Sequence, residues 1–159
     1  MAKYHRLSEE QLHSLHFEFS QFLATQGIDK KTWDVFKSEN TPQVDQFLDA
    51  FSDIVWEKLF DQAEYLEFIC PDKAFLFHTQ KEVATVLIIN NKLTEIDLTQ
   101  TEAWLWLEDH WKHSNISFFK SAKKYQGERN LFIYDYFKKG ALITKGERFR
   151  QWEPILKIQ

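Results

Sequence analysis

The sequence is poor in the residues that build special loops. Four glycines and three prolines are spread over 159 residues. Neither Gly-x4-Gly-Lys-Ser/Thr nor Gly-x-Gly-x-x-Gly occurs, and Gly-x-Ser-x-Gly is absent as well. Those motifs depend on backbone that approaches a phosphate or forms a tight turn where no side chain intervenes. Their absence excludes the familiar nucleotide cradles and the nucleophile elbow. The one cysteine, Cys70, excludes an internal disulfide framework and fits a reducing compartment. It precedes Pro71 in a turn, without the histidine and electropositive surroundings that activate a thiol. No run reaches the roughly 18 apolar residues of a membrane-spanning helix. The longest, "VATVLIIN" from Val83, is strand-sized, and "MAKYHRLSEE" has no apolar stretch of signal-peptide length. The expectation is a cytoplasmic protein with no membrane partner.

What the sequence does have is bulk. Hydrophobic residues make up 43 % and aromatics 16 %, with 15 Phe and 6 Trp. A chain of this length buries roughly 70 % of its unfolded surface, so it needs no staple, and one domain over 1–159 is expected. The net charge of −4 conceals a polarity. Residues 1–111 hold 9 basic and 20 acidic side chains, a balance of −11; residues 112–159 hold 11 and 4, a balance of +7. Such asymmetry marks either a basic binding surface or two parts of one fold that attract each other.

Helix signals dominate the first sixty residues. Ser8 and Gln11 form a capping box, with Leu7 and Leu12 at staple positions, and Leu12, Leu15, Phe19, Phe22 and Leu23 recur at helical spacing up to Gly27. Asp29 caps a short helix carrying Trp33 and Phe36, and Thr41-Pro42 opens a third. The period then changes. Residues 63–69, 74–80, 82–90 and 93–98 read as four strands of an antiparallel meander. Thr99 and Glu102 read as a second capping box before "AWLWLEDHW", "NISFFKSAKKY" as a fifth strand, and "ERNLFIYDYFKKG" as a helix closed by Gly140. "ALITKGERFRQW" reads as a closing hairpin around Lys145-Gly146. The fold class is therefore α+β: N-terminal helices, a four- to five-stranded antiparallel meander sheet, and further helices toward the C-terminus.

The third helix carries an oddity. Asp45, Asp49, Asp53, Glu57 and Asp61 recur every fourth residue, a spacing at which like charges repel by roughly 0.2–0.5 kcal/mol per pair. At about 100° per residue, Phe47, Leu48, Phe51, Ile54, Val55 and Leu59 form the apolar face opposite this ladder. Trp56 and Phe60 break the pattern by falling among the acids, and Lys58 falls on the apolar side. A cover that is basic with apolar edges is expected over Asp49, Asp53, Trp56, Glu57 and Phe60. The cations Lys120, Lys123, Lys124, Arg129, Lys138 and Lys139 of this chain, or of a second copy, have that character.

Other constellations have plain structural readings beside the chemical ones. His13/His16 and His110/His113 sit at i, i+3, and His5 or Glu9 could add to the first pair and Asp109 to the second, but both ligand sets are incomplete for a zinc site. Glu95 and Asp97 alternate along a strand, which more often marks its wet face than an acid–base pair. Trp104, Trp106 and Trp111 suit core packing more readily than stacking on a ligand. Lysines interleaved with Tyr125 suit a nucleic-acid strand, although the acidic whole argues against it.

"KYHRLSEEQL", "FLATQGID" followed by Trp33, "FSDIVWEKL" running into "EYLEF", and "GALITKG" together resemble a family of small bacterial proteins of unknown function. That resemblance spans most of the chain, omits "AWLWLEDHW", and implies no activity, cofactor or catalytic residue. The functional expectation is a non-enzymatic interaction protein with itself or another protein as partner, and with no cofactor and no metal. The alternatives are a nucleic-acid-associated protein using the basic third, and a small-molecule-binding protein or enzyme without a recognisable motif.

Overall fold

The computed structural model describes residues 2–158, and the chain divides into two compact units, Met1–Leu59 and Phe60–Gln159. The first unit is helical, with α1 (Glu9–Ser14), α2 (His16–Thr25), α3 (Lys30–Ser38) and α4 (Pro42–Asp61), whose last residues belong to the second unit. Ser8 and Gln11 form the capping box reciprocally, and Asp29 accepts from the Thr32 amide at 2.7 Å. That bond holds the Asp29 carboxyl below its usual range. The single helix expected over the first apolar stripe is two helices, broken at Leu15 (φ −105°, ψ 23°). Near the break the Ser14 hydroxyl donates to the Glu10 carbonyl and a His16 ring nitrogen to the His13 carbonyl, the kind of local competition that bends a helix. Phe19 then packs on Trp33 (ring centroids 5.2 Å apart) and Phe51 (5.0 Å), so three helices share one aromatic core.

On α4 the expected apolar face is only half correct. Phe51 is buried, but Ile54 and Leu59 are 53 % and 38 % exposed, while Ser52, Trp56 and Phe60 are buried. Burial follows the i, i+4 ridge from Ser52 through Trp56 to Phe60. Such a ridge turns about 40° per step around the axis. A fixed stripe drawn along the whole helix therefore misplaces its second half.

The second unit is a five-stranded antiparallel sheet in the order β4-β3-β2-β1-β5, from β1 (Tyr65–Ile69), β2 (Lys73–Thr79), β3 (Val83–Asn91), β4 (Ile116–Lys124) and β5 (Leu142–Thr144). One face carries Ala74, Leu76, Leu87, Ile89, Ile116 and Phe118. They pack with Trp104 and Leu107 of α5 (Thr101–His110) and with Phe149 and Trp152 of α7 (Glu147–Trp152). Against the other face lies α6 (Arg129–Lys138), with Phe132 and Tyr136 on Phe77 and Tyr136 on Phe68. A last short helix, α8, spans Ile155–Ile158. Among the described residues no helix is long and apolar enough to cross a membrane.

Four local expectations are corrected. Residues 93–98 are turns, not a strand. The Asn91 side chain donates to the Ile96 carbonyl and accepts from the Leu93 amide, curling the segment back, and Leu98 is bonded to the Pro71 carbonyl. Helix α5 starts after Gln100, because the Thr99 hydroxyl is spent on Asp97. The closing hairpin is instead β5, paired with β1, followed by α7. Gly146 (φ +81°) turns the chain between them, and Phe149 and Trp152 bury at helical spacing. Glu67, whose alternation with Leu66 and Phe68 in strand 63–69 predicts an open, wet position, is buried and paired with Arg148 at 2.8 Å. Its strand is interior to the sheet, and α7 supplies the counter-charge on that face.

Candidate functional site

The acidic ladder is occupied by the chain's own first residues. Arg6 bridges Asp45 (3.1 Å) and Asp49 (2.7 Å). The amides of Lys3 and Tyr4 donate to the two oxygens of Asp53 at 2.8 and 2.9 Å. Lys3 Nζ and the Tyr4 hydroxyl meet Glu57 at 3.0 and 2.6 Å. Trp56 donates its indole N–H to the His5 carbonyl at 3.0 Å and is 5 % exposed. Burial and the bond to Glu57 push the Tyr4 phenol well above the usual tyrosine range, and the bond to Asp49 raises the Arg6 guanidinium. The segment Lys3–Arg6 therefore forms a strap along α4, and each acid from Asp45 to Glu57 receives a donor. This strap went unread in the sequence. Its signal was Lys3 and Arg6, the only basic residues before α1, three positions apart.

In the second unit, Phe60 is fully buried against Tyr134 and Phe137. Arg129 is spoken for: its guanidinium donates to the carbonyls of Phe60 (2.8 Å), Thr79 (3.2 Å) and Ala63, and to the Asn130 amide oxygen (2.8 Å). Asn130 in turn donates to Asp61 at 2.7 Å. Cations at the last carbonyls of a helix are favoured by its dipole, so Arg129 is a fold-holding residue at the end of α4. Lys120 pairs with Glu153 (3.1 Å), and Lys138 pairs with Asp135 (3.6 Å) and lies over the Tyr134 ring.

Lys123, Lys124 and Lys139 behave differently. They converge on a groove of about 450 Å³ between the end of β4, the loop 125–128 and α6, with Tyr125, Phe132 and Tyr136 in its wall. Tyr125 fixes the loop by donating to the Gln80 carbonyl (2.7 Å) and packing edge-on against Phe132 (5.1 Å). Burial raises its phenol. Lys139 sits over the Tyr136 ring at 5.0 Å. Glu128 and Asp135 also line the groove, so it is mixed in charge with cations in excess. Among the described residues, no ion pair is formed by Lys123, Lys124 or Lys139.

A family of unknown function (DUF6495) matches residues 1–157. The chain belongs to that family. No curated protein and no solved structure matches it. For this member of DUF6495 the geometry must therefore carry the functional reading. The histidine pairs are tied into local structure: His110 donates to the Trp106 carbonyl (2.8 Å) and stacks on the Trp106 ring, and His113 accepts from the Asn115 amide. Among the described residues, no group of three His, Cys, Asp or Glu side chains is placed to hold a metal.

Proposed function

We propose that the protein is a non-enzymatic binding protein that holds an anionic partner in the groove between the end of β4 and α6. One observation supports this above the rest: Lys123, Lys124 and Lys139 converge on an aromatic-walled groove without ion-pair partners, whereas Lys120 and Lys138 have acids beside them. Like charges left together raise the local potential and attract counter-ions. The cations also have apolar rings beside them, so a partner gains contact area as well as charge neutralisation. The acidic helix face, the other surface expected to bind, has its own strap and contributes less to this reading.

The test is titration of the full chain against labelled heparin, polyglutamate and single-stranded oligonucleotide at several salt concentrations. Binding to at least one, weakened by salt and abolished by Lys123→Glu, Lys124→Glu and Lys139→Glu together, is the expected result. Equal binding by the triple variant would remove the groove from consideration.

A further inference from the structure

We infer that the anionic partner is a single-stranded nucleic acid, stacked on the open half of the sheet face that adjoins the groove; this rests on the groove being a binding site. Strand register shows what that face presents. Side chains alternate across a sheet, so residues paired through the register share a face. Phe68 pairs with Phe75, Phe75 with Ile88, and Ile88 with Phe119, which makes one apolar row across four strands. The next row ends with Val86 and Ser121, and the one after with Ala84 and Lys123. On the opposite side lies the row of Lys73, Asn90 and Ser117.

Three features of this face point to a nucleic acid strand. First, cover is uneven. Helix α6 packs on Phe68 and Phe77, but Phe75, Val86 and Ile88 are only half-buried, and Phe119 is 52 % exposed. Second, the rings are organised. Phe75 lies nearly parallel to both Phe68 (26°) and Phe77 (14°), and Phe119 stands two strands away, about 10 Å at ordinary strand spacing. Two separated rings can each take a base, whatever its identity, because every base has a π face. Third, the charge is one-sided. In a protein of net charge −4, these paired positions of β1–β4 hold no carboxylate, with Lys73 at one end and Lys123 at the other; Lys123 leads into the groove, where three lysines stand against Glu128 and Asp135.

An acidic peptide would use the lysines but has no need of the rings. A duplex keeps its bases paired and stacked, out of reach of a sheet face. A single strand uses both features, with phosphates on the lysine ends and bases on Phe75 and Phe119.

The experiment is fluorescence anisotropy of the full chain with labelled oligo-dT and oligo-U of about 12 nucleotides, beside a duplex of the same length, polyglutamate and heparin. Single strands should bind more tightly than duplex or polyglutamate, with log K falling against log salt at a slope near −2, about −0.7 for each of three phosphates engaged. Phe119→Ala should weaken single-strand binding about 5- to 100-fold while leaving the salt slope in place. Lys123→Gln should reduce the slope by about 0.7. Phe119 is exposed, so its truncation leaves the fold intact, and circular dichroism of the variant verifies this. If Phe119→Ala binds single strands as well as the parent, stacking is refuted while the anionic groove survives. If polyglutamate or heparin binds and oligonucleotides do not, the nucleic acid is refuted and the groove again survives. If no polyanion binds, both readings fall. A concentration-dependent dimer in sedimentation, lost in Phe119→Ala, would give the face to a second copy of the chain and overturn the proposal.

Discussion

Asp45, Asp49, Asp53 and Glu57 on α4 each meet a donor from residues 3–6, while Lys123, Lys124 and Lys139 form no ion pair among the described residues, although Glu128 and Asp135 line the same groove. Both are groups of like charge, one an every-fourth-residue ladder on a helix and the other an adjacent pair joined in space by a third lysine. The difference lies in what the chain brings to them. The four acids receive two cations, two backbone amides and a phenol from a strap that also covers an indole, so their repulsion is offset by local organisation. Of the lysines, Lys139 lies over the Tyr136 ring, and in the proposed function their repulsion is what a partner would relieve. Clustered charge is thus a structural device where counter-charges arrive with it, and only where they do not is it a candidate for binding.

The largest expected effect tests the strap. Trp56→Ala should cost about 3–5 kcal/mol, the usual penalty for truncating a packed aromatic. Urea denaturation measures it, and a neutral result would mean the strap covers nothing of value. Arg129→Ala comes next, at about 3 kcal/mol, because the carbonyls of Phe60, Ala63 and Thr79 lose donors together. A loss below about 0.5 kcal/mol would return Arg129 to the group of binding cations. Asp53→Ala removes the acceptor for two backbone amides and should cost about 1–2 kcal/mol.

The strap also has a pH signature. Tyr4 has a raised folded-state pKa, first through burial and then through Glu57. The folded protein therefore holds that proton to higher pH than the unfolded chain. The stabilisation is complete below about pH 10, where unfolded tyrosine begins to titrate, and is lost as pH climbs through the folded value. Tyr4→Phe should flatten the alkaline decline of the urea midpoint, and an unchanged decline would argue against the Tyr4–Glu57 bond. The smallest effect sharpens the comparison from the other side. Lys123→Gln and Lys124→Gln should shift stability by less than about 0.5 kcal/mol, since neither is paired. A larger loss would make these lysines structural, like Arg129.

Much of the fold could be read locally. Caps at Ser8 and Asp29 and the Thr41-Pro42 start lie within a few residues of what they control, and so do the first three strands. Most of the failures share a cause in distance; residues 93–98 are the exception, curled by a side chain within five residues of its partners. The alternation in 93–98 looks like a strand until the Asn91 side chain bonds across it. Gly146 reads as a hairpin tip, and only the pairing of β5 with β1 shows it to be a helix entrance. For the candidate site, Lys123, Lys124, Lys139 and Tyr125 stood out in sequence. The platform of Phe75, Ile88 and Phe119 did not, because β4 joins β3 only after a whole intervening helix. The exposed Phe119 looked like any other aromatic in a strand. Arg129 looked like its lysine neighbours, since nothing local reveals the carbonyls it serves.

The pairing of β5 with β1 has a consequence for how the protein is made. Tyr65–Glu67 leave the ribosome about 80 residues ahead of Leu142–Thr144, a wait of about 4–16 s at 5–20 residues per second. During that interval one side of β1 has β2 and the other side is a bare edge, the kind of surface that recruits stray strands. Glu67 sits in the middle of it, still without Arg148, which arrives later again. In the nascent chain it is expected to act as a gatekeeper against mispairing. Glu67→Leu should therefore scatter more light during refolding by dilution, even where the mature protein is no less stable. A carboxylate that is buried in the finished molecule thus protects the unfinished one.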